Sequence, residues 1–142
     1  MIITVAVLAF AAASIAITLV LVPGQNERTD VLKLIREQAR GDIAAMLAQL
    51  SGCAQRPACL ADARADATTL RQSGNVELVN FQPSTTIALG STGGFARVAW
   101  NVGSRIPVVQ CVQVHRGSGL FGARRVTLLA VSRPIASQAT CP

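Results

Sequence analysis

The sequence predicts an α+β protein: a long hydrophobic N-terminal helix continuing into an amphipathic helix, a short second helix, then a four- to five-stranded antiparallel sheet. Three observations predict it. Residues 1–22 carry no charge, no Pro and no Gly. Residues 30–51 place apolar side chains at three- and four-residue spacing. From Val76 onward, short β-branched runs are separated by Gly-rich turns. The order helix, helix, sheet is that of an α+β domain. With 142 residues, one modest domain fits. Hydrophobic residues at 51% and charged residues at 14% exclude a disordered chain, a collagen-like repeat and a coreless disulfide knot. They also argue against a freely soluble cytosolic protein.

Residues 1–22, as a helix, reach about 33 Å, which matches a hydrocarbon core of about 30 Å. A cleaved signal peptide fits poorly, because no basic residue precedes the run and Val22-Pro23-Gly24 is no A-x-A site. The predicted division is a transmembrane or filament-core helix at 1–23 and an extracytoplasmic α+β domain at 24–142. The flanks conflict over orientation. Arg28, Lys33, Arg36 and Arg40 follow the span, which read literally places the domain in the cytoplasm. Four cysteines without a CxxC point instead to disulfides and an oxidising compartment. A short basic leader once preceding Met1 removes the conflict; an ordinary signal-anchor weakly oriented by charge is the alternative.

Pro23 and Gly24 predict a helix break, since Pro lacks an N–H and Gly adds backbone freedom. Thr29 and Asp30 are the best N-cap candidates for the next helix, about 30–51. Val31, Leu32, Ile35, Ala39, Ile43, Met46, Leu47 and Leu50 form its apolar face, and Gly41 inside it costs roughly 1 kcal/mol against Ala. Cys53 to Cys59 is a short loop, followed by a helix over about 58–72 with Leu60, Ala63, Ala67 and Leu70 on one face. Strands follow over about 75–133: Val76 to Phe81, Thr85 to Leu89, Phe95 to Val102, Ile106 to His115 and Arg125 to Ser132. Gly90 to Gly94 and Gly117 to Gly122 read as turns.

The four cysteines allow three connectivities. Cys53–Cys59 with Cys111–Cys141 is favoured: the first closes a local loop, the second ties down a tail that would otherwise fray. Reduced buried thiols are the bland alternative, and zinc lacks the paired CxxC spacing. All seven carboxylate side chains lie at or before Glu77, and six arginines follow it. The plain reading is a solvated sheet face with arginines pairing to acidic residues of a neighbouring copy. The functional reading is adhesion to polyanions, with Arg116, Arg124 and Arg125 beside the Gly117–Gly122 turn as candidates.

Catalytic patterns are missing from the sequence: there is no GxSxG, P-loop or HExxH. His115, the single His, reads as an exposed or hydrogen-bonded strand residue, and Asp62 with Asp66 as a solvated helix face. An enzyme is not expected, nor a cofactor or metal.

Taken together, the uncharged segment Met1–Val22, the breaker at Pro23, the amphipathic run Asp30–Ser51, the loop Cys53–Cys59, the strands from Val76 and the C-terminal Cys111 and Cys141 resemble the layout of type IV pilins and pseudopilins. Met1 is similar to processed starts in that family, whose leader is removed before a hydrophobic segment that stays. The family usually has Glu at the fifth mature position; Val5 stands here, and no Gly-ended leader is present. The resemblance therefore extends to a minor subunit or a divergent filament. It implies a homo-oligomeric helical filament at the cell surface, a plasma-membrane pool before assembly, and an inner-membrane assembly platform as partner. It implies a filament core containing Val5, Ala9, Ala12, Ala13 and Ala16, whose small side chains permit close helix approach. It also implies an extensible joint at Pro23-Gly24. The competing expectation is a single-pass extracytoplasmic binding module, of the sheet-and-helices kind seen in secretion-system assembly factors.

Overall fold

Alternation along the strands decides where the core lies. Ala96, Val98, Trp100 and Val102 are buried on one strand, and Gln110, Val112 and Val114 on the next, so one sheet face is fully covered. The computed structural model describes residues 2–83, 92–117 and 125–142. Its elements are α1 (Ile2–Arg40), α2 (Ile43–Gln49), α3 (Pro57–Thr69), β1 (Val76–Gln82), β2 (Thr92–Val102), β3 (Val108–Arg116) and β4 (Val126–Val131). The sheet is an antiparallel meander in the order β1-β2-β3-β4. The candidate strand Thr85 to Leu89 lies outside the described residues.

The expected helical layout is corrected. α1 is one helix through Pro23 and Gly24, not an apolar helix followed by a separate amphipathic one. Among the described residues, no helix is long and apolar enough to cross a membrane. The expected N-cap at Thr29 or Asp30 and the joint at Pro23-Gly24 are therefore not features of the fold. Thr29 instead returns its hydroxyl to the Gln25 carbonyl, 3.0 Å away, as an interior helical residue. Proline costs a helix interior about 3 kcal/mol. Burial on its C-terminal side outweighs that: Glu27, Val31, Leu34, Ile35, Gln38 and Ala39 are all sequestered, a stripe at helical spacing.

The break falls at Gly41 instead. Its φ of 75° is the left-handed conformation that glycine adopts most cheaply. Its N–H bonds the Gln38 carbonyl at 2.9 Å, and the Asp42 N–H bonds the Glu37 carbonyl at 3.0 Å. These are the two bonds of a Schellman C-cap. Asp42 then caps α2, accepting from the Ala45 N–H at 2.9 Å. The expected single helix over 30–51 is thus two helices, because a helix end and a helix start share adjacent residues. α3 starts with Pro57 at its first turn, where a missing N–H costs nothing.

α1 runs antiparallel to β3 across the covered face. Glu27 meets Arg116 at the end of β3, and Gln38 meets Gln110 near its start. The opposite face is crossed by the C-terminal tail. Just after β4 the tail still follows the β3 edge, where the Ile135 N–H donates to the Val109 carbonyl; farther on, Arg97 donates to the carbonyls of Ala139 (3.0 Å) and Ser137. Cys141 is bonded to Cys111, and Cys53 to Cys59. The Cys53–Cys59 loop caps the β4 edge: the Ser51 N–H reaches the Leu128 carbonyl at 2.8 Å, and Arg56 reaches that of Leu129.

Candidate functional site

Residues 2–26 of α1 extend about 37 Å N-terminal to the Glu27–Arg116 contact, at 1.5 Å per residue. On this stretch Phe10 is 77% and Val7 61% exposed, with Ala11 and Ser14 also exposed. Val7 and Phe10, three residues apart, share one side of the helix. The predicted core positions Val5, Ala9, Ala12, Ala13 and Ala16 fall on this helix, but their side chains lie outside the described residues.

Glu27 anchors the point where α1 meets the sheet. It is fully buried, and its Oε2 accepts from Arg116 Nε at 2.9 Å and from Arg116 Nη2. Glu27 Oε1 has no hydrogen-bond partner. Arg116, a candidate polyanion contact from the sequence, is instead half of an internal ion pair with little exposure. Arg133 likewise pairs with Asp62, at 3.1 Å. These sheet and tail arginines find carboxylates on the helices of their own chain, which corrects the expectation that a neighbouring copy supplies them. Arg125 is exposed, and Arg124 lies outside the described residues.

A polar cluster sits in the core. Gln110 Oε1 accepts from Trp100 Nε1 at 2.8 Å and from Gln38 Nε2 at 3.0 Å. Gln110 Nε2 donates to Asp66 Oδ2 at 3.2 Å and to the Ser132 carbonyl at 2.9 Å. Asp66 is 1% exposed, so its reading as a solvated helix face is corrected: it shares the inward face of α3 with Ala63 and Ala67. Burial pushes the Asp66 carboxyl up to about 6, against the lowering charge of Arg133; Asp62 raises it and the Gln110 hydrogen bond lowers it. Gln110 was legible from alternation, since it shares a strand face with Val112 and Val114. Helical spacing places Asp66 on the face of Ala63, Ala67 and Leu70, and Glu27 one turn before Val31; what it does not supply is the partner of each, far along the chain.

An open cavity of about 480 Å³ lies beside the Cys111–Cys141 bridge, lined by Phe81, Pro83, Phe95, Arg97, Thr140 and Cys141. Its cation, Arg97, is engaged by tail carbonyls. His115 is exposed on β3, next to Gly93 and Thr127 in register. Among the described residues, no group of three or more His, Cys, Asp or Glu could hold a metal ion. Comparison with known proteins finds no matching family model, curated protein or solved structure.

Proposed function

We propose that this chain is a non-catalytic structural subunit of an extracellular type IV pilus-like filament, assembled through its uncharged N-terminal segment. The observation that carries this reading is the exposure of Phe10 and Val7 on a helix that runs on past the Glu27–Arg116 contact. Copies of the same segment are its natural cover, because they bring the same apolar surface and no charge within residues 1–22. Two disulfides support an oxidising destination outside the cytoplasm. An inner-membrane platform would supply the subunits, and exposed Arg125 leaves room for weak polyanion contact at the surface.

Electron microscopy of material sheared from expressing cells, with mass spectrometry of the subunit, tests this. Thin filaments built from this chain, abolished by Phe10→Asp, are the expected result. A chain that stays with membranes and forms no filament would overturn the proposal and favour an anchored binding module.

A further inference from the structure

We infer that Asp66, Gln110, Trp100 and Gln38 form a proton-sensitive clasp, which holds α1, α3 and the start of the C-terminal tail to the sheet more tightly when Asp66 is protonated. This inference is independent of the filament reading.

The geometry fixes every role. Trp Nε1 can only donate, so the Gln110 amide must turn its oxygen toward Trp100. Its nitrogen then has to face Asp66 and the Ser132 carbonyl. Each Gln110 bond goes to a different element: β2, α1, α3 and the residue that follows β4. Asp66 is the one member that titrates. Gln110 from β3 bonds it directly, Gln38 from α1 and Trp100 from β2 connect to it through Gln110, and none of the three ionises; α2 (IAAMLAQ), also packed on α3, brings no charge. Arg133 approaches from the tail and Asp62 from α3 itself, and β4 (VTLLAV) brings no charge.

Arg133 is already paired with Asp62 at 3.1 Å. Ionised Asp66 therefore leaves two carboxylates sharing one guanidinium, with one of the carboxylates desolvated. Taking one proton from solvent neutralises that excess charge without breaking the bond from Gln110, since the uncharged carboxyl still offers an acceptor oxygen. Buried carboxylate is thus the loosened state and buried acid the tight one.

Hydrogen exchange of the α3 amides in the full oxidised chain, corrected for intrinsic rates, tests the clasp between pH 4 and pH 8, with Trp100 fluorescence followed in parallel. The α3 opening constant should rise on the order of 100-fold between about pH 4 and pH 6 and then level off, while the Trp100 fluorescence changes with its midpoint near 6. Asp66→Asn keeps an acceptor and cannot titrate, so both transitions should vanish. Arg133→Gln removes the lowering charge and should move the midpoint upward. His115→Gln, which removes the single exposed imidazole, should change neither. A flat wild-type profile, a transition that survives Asp66→Asn, or one abolished by His115→Gln would overturn the inference.

Discussion

Glu27 and Arg116 are separated by most of the chain, yet their contact sets where α1 leaves the sheet. Glu27 is fully buried, and its side chain has one oxygen committed to Arg116 and one with no partner. Removing Arg116 leaves the buried Glu27 carboxylate without this cation. Arg116→Met should cost about 3–5 kcal/mol in denaturant unfolding. The double variant Glu27→Leu with Arg116→Met should recover most of that loss, because an apolar pair needs no charge compensation. Equal losses in the single and double variants would show that packing, not charge pairing, sets the cost. Arg97 acts differently: it spends its guanidinium on tail carbonyls, a neutral clamp rather than a salt bridge.

At the scale of elements, the two disulfides protect different weak points. Cys53–Cys59 holds the loop that caps the β4 edge, and its bonded residues lie 6 apart. Cys111–Cys141 fixes the tail across the outer sheet face, closing a separation of 30. The longer loop constrains the unfolded chain more. Replacing both members of the Cys111–Cys141 pair by Ser should cost about 3–4 kcal/mol, against about 2 kcal/mol for the Cys53–Cys59 pair. Thermal unfolding of the two double-Ser variants checks the ranking; a larger loss for the short loop would point to the edge cap as the weaker element. The β4 edge is sealed by that loop, so exposed strand pairing is discouraged on that side of the meander.

For the whole molecule, charge is arranged between layers. The helices carry Glu27, Asp62 and Asp66, and the sheet and tail supply Arg116 and Arg133. Asp66 gives the molecule a pH dependence with a definite sign. Its folded value is raised to about 6 from 3.8, so the folded state holds a proton that the unfolded state has already released. Stability from this group is full below about 4, falls as pH rises toward 6, and is flat above, a total of about 3 kcal/mol. Asp66→Asn should remove that slope and raise the denaturant midpoint at pH 7.5. An unchanged midpoint would mean that solvent or Arg133 compensates the charge in full.

The sequence by itself determined the α+β order, the antiparallel strands and the local helical stripes, because periodicities of two and of three to four residues are written in neighbouring side chains. β1, β3 and β4 fall close to their expected ranges, as does α3, since turn residues bracket each one. The sequence also carried the alternation that turns Gln110 inward. Only the tertiary structure decided where the long helix ends. Pro23 is the stronger local breaker, yet burial of residues 27–39 carries the helix through it, and Gly41 breaks the helix because its φ of 75° closes a C-cap beside the Asp42 N-cap. Tertiary structure likewise decided that Arg116 faces Glu27 and that Gln110 meets Asp66. Helical spacing puts Asp66 with Ala63 and Leu70, and Glu27 with Val31, but which partner each meets depends on residues many positions away.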